Sequence, residues 1–338
     1  MTTRTVRIAW MVLAAATVAA GASAQTMIKM ASLVPQGSAW HSTLLEMGAA
    51  WQKASGGKVT LRLYPGGVAG DDNDVVRKMR LGTLDAGLLA VAGLADIDRS
   101  VFALAIPMAY TGYDELDAVM AKITPQLDRV FAEKGFVVLA WADAGWVHFF
   151  SKEPMRTPDD MKRMKLFSWA GDTAATEMWK SAGFNPVVLP STEISTALQT
   201  GMINVLPTTP QAAVLLQWYN QAKYMNAVKW AVLLGAIVVN QAAWDRIPAD
   251  VQPAIRKAAE DAGRTLCAQT RAASVHDIKA MTDRGLVVYE PDAATIALWR
   301  AAAESTYPSV RATFMPAWAF DAAMKARAEV RAAAGKAK

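Results

Sequence analysis

The sequence is poor in the residues that most often build metal and catalytic centres. It contains a single cysteine, Cys267, and three histidines. One cysteine cannot form an internal disulfide, and His41, His148 and His276 lie far apart, with no cysteine or acid at the spacing of metal ligands. The sequence has neither a G-x-S-x-G nucleophile motif nor a phosphate-binding loop. We therefore predict a protein that is not an enzyme and that has no catalytic residues, no metal and no cofactor.

Long apolar runs are confined to the N-terminus. Arg4 and Arg7 precede an uncharged stretch rich in Ala, Val and Leu, which ends in small residues just before Gln25. This order is typical of a secretory signal peptide, and the run falls short of the about 20 apolar residues that a membrane-spanning helix needs. We predict that residues 1–24 are a cleaved signal peptide and that the mature protein is periplasmic. An uncleaved anchor helix is the alternative.

Charge of one sign is also scarce. The chain has 35 Lys and Arg against 30 Asp and Glu, and the basic residues are interspersed with acids except in the tail from Lys325 onward. Such a tail is typical of a solvated helix end, so we predict no nucleic-acid partner. With 53% hydrophobic residues, a chain of this length can bury two substantial cores. We predict two domains in a monomeric protein.

Strand and helix patterns alternate along most of the chain. Short apolar or alternating strands, such as those at 58–64 and 233–240, are separated by helical segments. The longest predicted helix runs from Asp250 to about Thr282. Such alternation predicts an α/β fold of parallel sheets covered by helices. Ligands in these folds bind at the carboxyl ends of the strands and often between domains.

Clustered acids and abundant tryptophan are the most distinctive local features. Asp71, Asp72 and Asp74 follow a glycine-rich turn, where acids suit the positive end of the next helix. A calcium site is the weaker alternative, because the spaced ligands of a calcium loop are absent. The twelve tryptophans are interpreted mainly as packing residues, some of which can form a pocket wall.

Six segments together resemble the solute-binding proteins of tripartite ATP-independent periplasmic (TRAP) transporters, of the dicarboxylate-binding type. Their order and spacing carry the likeness, which extends from about Met27 to about Tyr307. The segments are GSAWH (37–41), YPGGVAGDD (64–72), MRLGTLDAGLLA (79–90), RTPDDMKRMKL (156–166), LPSTEISTALQTGMIN (189–204) and WDRIPADVQ (244–252).

The resemblance implies a type II-like periplasmic binding protein. Such a protein has two α/β domains, two crossing hinge strands between them and a long helix running across both. It places residues 25–144 with 231–272 in domain I, and residues 145–230 with 273–338 in domain II. The hinge segments then lie near Ala144 and near Trp230.

The resemblance also implies a function and partners. The protein captures a small organic solute between its domains and delivers it to the small and large membrane subunits of a TRAP-type secondary transporter. An alternative is the same scaffold acting as a sensor or as a carrier for another partner. An enzyme on a similar fold is disfavoured, since the sequence has no nucleophile–base pair.

Three departures from the family pattern bear on the ligand. Phe167 and Val147 stand where members commonly place an arginine, and Pro207 stands where they commonly place an acid. Arginine holds carboxylates because its planar guanidinium donates two parallel hydrogen bonds. The departures therefore predict a neutral or largely apolar or aromatic solute. The alternative is an organic-acid binder in which another cation, such as Arg163 or Lys229, replaces the arginine.

Eight residues are predicted to form the ligand-binding cleft. Half of them are placed by matching motif positions, and the other half are neighbours of these in the sequence. The predicted residues are Trp40 and Asp72 from domain I, and Trp146, Val147, Phe167, Trp169, Thr208 and Thr209 from domain II.

Overall fold

The computed structural model describes residues 25–170 and 172–336, so the predicted signal peptide lies outside the described residues. The strands of the described chain form one nine-stranded mixed sheet. They are β1 Thr26–Ser32, β2 Val59–Tyr64, β3 Ala86–Ala90, β4 Phe136–Ser151, β5 Lys165–Trp169, β6 Asn185–Leu189, β7 Val205–Thr208, β8 Tyr224–Asn240 and β9 Val287–Tyr289.

The sheet consists of two parallel triplets joined by two long strands. Its order is β2-β1-β3-β8-β4-β7-β5-β6, and β9 pairs with β8. The triplets β2-β1-β3 and β7-β5-β6 are parallel inside, whereas β8 and β4 run antiparallel to each other and to the adjoining triplets. We call the first triplet with its covering helices the first lobe, and the second triplet with its helices the second lobe. The prediction of parallel sheets holds within each triplet but misses the mixed centre.

The two crossing strands are much longer than their apolar patterns predict. β4 has 16 residues and β8 has 17, and they pair along most of their length with three shifts of register. One shift lies between Asp143 and Trp146, around Gly145, whose φ of 89° is a conformation that favours glycine. A Cβ there would also approach the Thr270 methyl group to 3.2 Å. This irregular stretch coincides with one of the predicted hinge segments.

Helices cover both faces of the sheet. They are α1 Ala39–Ala54, α2 Asp72–Arg80, α3 Val91–Ile97, α4 Tyr113–Glu133, α5 Pro158–Lys162, α6 Thr173–Ser181, α7 Ile194–Thr200, α8 Pro210–Leu215, α9 Gln241–Asp245, α10 Gln252–Thr282, α11 Ala293–Ser305, α12 Tyr307–Ser309 and α13 Ala317–Lys336. Short 3₁₀ turns occupy Arg99–Leu104, Ser191–Glu193 and Trp218–Asn220, and a π turn occupies Val310–Phe314.

The predicted long helix is confirmed as α10. It has 31 residues, which corresponds to about 46 Å at the rise of an α-helix. It packs against α1 of the first lobe, against β4, and against α8 of the second lobe. Within the described residues, no helix is both long and apolar enough to cross a lipid bilayer.

Each lobe has its own buried apolar cores. Trp51 is fully buried between α1 and the first-lobe strands, and its indole N–H donates to the Ile255 carbonyl at 3.0 Å. Trp299 is fully buried in the second lobe, where it stacks on Phe149 at 5.0 Å. Separate cores on the two sides of the crossing strands are the packing expected of two domains.

The C-terminal helix α13 packs on the first lobe. Ala319, Phe320 and Ala323 belong to the same core as Leu116 and Val119 of α4. Ion pairs from Lys122 to Glu329 and from Arg331 to Glu115 border this contact. The predicted boundaries place α13 in domain II, whereas its apolar face is buried against α4 of the first lobe. The predicted domain boundaries stay a prediction.

Candidate ligand-binding cavity

A cavity of about 350 Å³ lies between the two lobes. It is lined at the carboxyl ends of β1 and β3 in the first lobe and of β5 and β7 in the second, with a floor from β8. This is the position in which open α/β sheets bind ligands, because loops and helix N-termini converge there. The lining residues are Leu33, Val34, Pro35, Trp40, Gly66, Asp72, Leu88, Leu89, Ala90, Ala144, Phe167, Trp169, Ser191, Thr192, Ile194, Ser195, Leu206, Pro207, Thr208, Thr209, Gln211, Ala212, Leu215, Leu216, Trp218, Leu233, Leu234 and Gly235.

Six of the eight residues predicted for the cleft line this cavity. They come from four separate elements of the two lobes, and the fold brings them together. They are Trp40, Asp72, Phe167, Trp169, Thr208 and Thr209. That these residues contact a solute stays a prediction.

Trp146 and Val147 do not line the cavity, so the structure contradicts their predicted positions. Trp146 belongs to the first-lobe core, where its ring lies 5.5 Å from that of Tyr113. Val147 is 8% exposed and pairs with Ala231 in the middle of the crossing strands. Adjacent strand residues point to opposite faces of a sheet, so the neighbours Trp146 and Val147 of β4 do not both face one wall.

Several lining residues were missed by the sequence analysis. Ser191, Thr192 and Ser195 lie in a segment that served only as a family motif, and Gln211 and Trp218 lie in and after α8. Ser191, Thr192 and Ser195 share one signal, a run of small hydroxyl residues after a strand. Such a run precedes many helices without lining a site, and it therefore identifies a helix start more readily than a pocket.

The chemistry of the cavity wall is mostly apolar. Eight leucines, Ile194 and the aromatic rings of Phe167, Trp169 and Trp218 contribute to it. Phe167 and Trp169 meet edge to face, with ring centroids 5.3 Å apart. Residues separated by two positions in β5 share one face of the sheet, which explains why both rings reach the cavity.

None of the described residues that line the cavity is lysine or arginine. The two cations considered as replacements lie elsewhere. The Arg163 guanidinium donates to the Asp160 carboxylate at 2.8 Å on an exposed helix end. The Lys229 ammonium lies 5.6 Å from the ring centre of Trp146, outside the cavity wall. The carboxylate clamp that the family resemblance implies is therefore missing from this site.

Among the described residues that line the cavity, Asp72 is the only one with an ionisable acidic or basic side chain. It is 1% exposed and lies in the first turn of α2, directly after the N-cap residue Asp71. Its Oδ2 accepts a hydrogen bond from the Ala90 N–H at 2.8 Å, and its buried Oδ1 has no partner among the described residues. Burial raises the pKa of Asp72 to about 8, with a smaller contribution from Asp71 in the same direction, against the hydrogen bond from Ala90.

Hydrogen bonds join the lobes beside the cavity. The Asp71 carboxylate accepts from both the backbone N–H and the hydroxyl of Ser191, each at 2.8 Å. On the other side, the Trp40 indole N–H donates to the Thr270 hydroxyl at 3.1 Å, which donates to the Gln211 side-chain oxygen at 3.0 Å. These contacts link the first-lobe and second-lobe walls of the cavity.

The sequence matches a known family over most of its length. The model of bacterial extracellular solute-binding protein family 7 matches residues 30–313. The chain belongs to this family. A solute-binding protein of Chromohalobacter salexigens is 25% identical to this family 7 protein over 238 residues, which are 70% of each chain.

Solved structures resemble this family 7 protein across nearly the whole described chain. A TRAP periplasmic solute-binding protein from Ralstonia eutropha, with bound (S)-2-acetolactate, matches with a TM-score of 0.83 at 21% identity, over 90% of this chain and 99% of the other. One from Haemophilus influenzae, with bound L-gulonate, has a TM-score of 0.83 at 21% identity, over 90% and 100%. The predicted two-domain binding-protein fold is thereby confirmed. These relatives are binding proteins rather than enzymes.

Proposed function

We propose that this chain captures a small, neutral or largely apolar or aromatic solute in the interlobe cavity and delivers it to TRAP-type membrane subunits. Membership of family 7 supports the binding role. A cavity of about 350 Å³ is at the small end of the range for pockets that enclose small organic molecules. The predicted periplasmic location and cleaved signal peptide belong to the same proposal.

The absence of a cation among the described lining residues is the observation that carries the ligand class. A carboxylate that enters a closed cavity loses its hydration, which costs several kcal/mol unless donors or cations replace the water. An apolar group gains about 25 cal/mol for each Å² of surface removed from water. A wall formed by Phe167, Trp169 and Trp218 therefore favours a solute with a ring or an apolar body.

An organic acid is the second candidate. Acetolactate and gulonate, which the solved relatives hold, are both carboxylates. In this chain such a group would have only uncharged donors near it, such as the hydroxyls of Ser191, Thr208 and Thr209. It would also share the cavity with the Asp72 carboxyl group, whose negative form repels it.

A calorimetric screen of the protein from Gln25 onward separates the two candidates. We expect neutral aromatic and alicyclic compounds to bind, and succinate, malate and L-gulonate to bind weakly or not at all. Submicromolar binding of any of these three acids would refute the proposed ligand class. Uptake by vesicles that contain the TRAP membrane subunits should require addition of the binding protein, and uptake without it would contradict the delivery role.

The variant Phe167→Arg tests the same point from inside the cavity. We expect it to weaken binding of the compounds found in the screen at least tenfold and to introduce weak binding of succinate. Val188→Arg is the matched control, since Val188 lies on the neighbouring strand β6 and is half exposed. If both variants bind like the unmodified protein, Phe167 does not contact the solute.

A further inference from the structure

We propose that Asp72 is the specificity-determining polar residue of the cavity and that the solute carries an organic ammonium group, which pairs with the free oxygen of its side chain. This inference rests on the proposed function, because it places the ammonium group on a solute whose apolar body fills the same cavity. It narrows the ligand class from largely apolar compounds to amines with an apolar or aromatic body.

The hydrogen bonds of Asp72 leave one acceptor for a ligand. Oδ2 is taken by the Ala90 N–H, whereas Oδ1 is buried with no partner among the described residues. A buried acceptor that lacks a donor is costly, and native structures leave few of them. Asp72 lines the cavity, but its Oδ1 is buried in this structure. A solute bound in the cavity supplies the missing donor when the Asp72 side chain turns Oδ1 toward it.

Among the described residues, no cation pairs with this carboxyl group. On its own helix, the Arg77 guanidinium pairs with Asp74 at 2.6 Å, and the Lys78 ammonium donates to the Ala69 carbonyl at 2.6 Å. The nearby acid Asp71 is turned to Ser191. All these groups already have partners within the protein.

The elements next to Asp72 present either backbone or charged side chains that already pair with other residues. α3 presents Gly93, where an added Cβ would come within 2.7 Å of the Cβ of Asp72. Asp96 of α3 pairs with Arg80 at the other end of α2. Asp85, just before β3, pairs with Arg246 at 2.7 Å. The cavity is thus the side from which a positive charge can reach Asp72.

The rest of the wall suits an ammonium group better than another donor. Trp40 and Trp169 line the same cavity, and indole faces attract ammonium groups through their quadrupole. A desolvated carboxyl group whose pKa is raised to about 8 by burial regains its charge when a cation binds beside it. A neutral alcohol would use the hydrogen bond without the charge, and a carboxylate would be repelled by the ionised form of Asp72.

Matched compounds test the inference directly. The probes are phenethylamine, phenethyl alcohol and phenylacetate, with cyclohexylmethylamine, cyclohexylmethanol and cyclohexanecarboxylate as the alicyclic set. Binding to the protein from Gln25 onward is measured by titration calorimetry. We expect at least one amine to bind at least tenfold more tightly than its matched alcohol. Asp72→Asn should remove this advantage, and Asp74→Asn, on the same helix but paired with Arg77, should keep it.

The pH dependence of the unmodified protein provides a second readout. The ammonium group stays protonated to pH 8 and above, while Asp72 must lose its proton to pair with it. With the pKa of Asp72 near 8, amine affinity should rise about tenfold from pH 6 to pH 7, with release of close to one proton at pH 7. A solute that accepts a hydrogen bond from protonated Asp72 would instead keep nearly the same affinity from pH 6 to pH 7 and lose affinity above pH 8.

Each outcome decides between the two proposals. If alcohols bind as tightly as amines and Asp72→Asn changes nothing, the inference is overturned while the proposed apolar ligand class stands. If the carboxylates bind most tightly, both fail. If no amine binds, the inference is overturned whatever the other compounds do. If Asp72→Asn does not fold, the sign of the pH dependence in the unmodified protein decides.

Discussion

The two walls of the cavity have opposite chemistry. The first-lobe wall presents a carboxyl group from the start of α2, and the second-lobe wall presents the rings of Phe167 and Trp169 with several hydroxyl groups. Neither wall supplies lysine or arginine among the described lining residues. In a binding protein that closes on its ligand, selectivity comes from the polar groups and the apolar surface that each wall presents to the ligand. Here these are an acceptor on one side and apolar surface on the other.

The adjacent residues Asp71 and Asp72 differ in how many hydrogen bonds their carboxyl groups accept. Asp71 accepts three hydrogen bonds, two from Ser191 across the cleft and one from the Asp72 N–H. Asp72 accepts one, from Ala90, and keeps a free oxygen. One acid therefore joins the lobes, whereas its neighbour has an oxygen that accepts no hydrogen bond from the described residues.

The largest expected effect concerns Trp146, which the structure places in the first-lobe core instead of the cavity. Trp146→Ala removes a buried ring, so we expect the free energy of unfolding to fall by about 3–5 kcal/mol. Ligand affinity of the folded fraction should stay unchanged, because the ring contacts Tyr113 and not the cavity. Chemical denaturation and calorimetry measure the two quantities. An affinity loss without a stability loss would place Trp146 in the site after all.

Trp169 should show the reverse pattern. Trp169→Ala opens the second-lobe wall, and we expect affinity for an aromatic solute to fall by about 1–3 kcal/mol, the scale of burying a large apolar side chain. Its indole nitrogen has no hydrogen-bond partner among the described residues, so Trp169→Phe is the matched control. If the phenylalanine variant binds normally, the ring carries the contact. If both variants bind normally, the wall does not touch the solute.

These comparisons show which parts of the molecule a sequence reveals. Periodicity located the short strands of both triplets and the helix α10, because their apolar residues repeat at regular intervals. It predicted strands at 136–141 and 233–240 but missed residues 142–151 of β4 and 224–232 of β8. Asp143, Gly145 and His148 interrupt the apolar pattern of β4, and its extended conformation is maintained by pairing with β8. Such pairing between segments distant in the chain depends on the tertiary structure, which local pattern does not encode.

The site was partly predictable for a related reason. Phe167 follows from matching a motif position of the family, and Asp72 and Trp169 follow as neighbours of such positions in the sequence. The free oxygen of Asp72 depends on where Ala90 and Gly93 pack. The contact of α13 with α4 likewise depends on the tertiary structure, because the apolar pattern of a helix does not specify which lobe the helix packs against.

The smallest expected effect concerns the bonds that join the two walls. Ser191→Ala removes the hydroxyl donor to Asp71 but keeps the backbone donor. A hydrogen bond to a charged group contributes about 1.5–3 kcal/mol, and one partly replaced by water contributes less. If the bond forms only when the lobes close, we expect ligand affinity to fall by about 1 kcal/mol.

Solution scattering distinguishes this effect from a simple loss of contact with the solute. The radius of gyration should decrease when ligand binds to the unmodified protein, as in hinge closure, and Ser191→Ala should need more ligand for the same decrease. Thr200→Ala is the control, since its hydroxyl bonds only within α7. If the unmodified protein keeps the same radius at saturating ligand, the cavity does not form by closure, and the Asp71–Ser191 bonds are a fixed part of the fold.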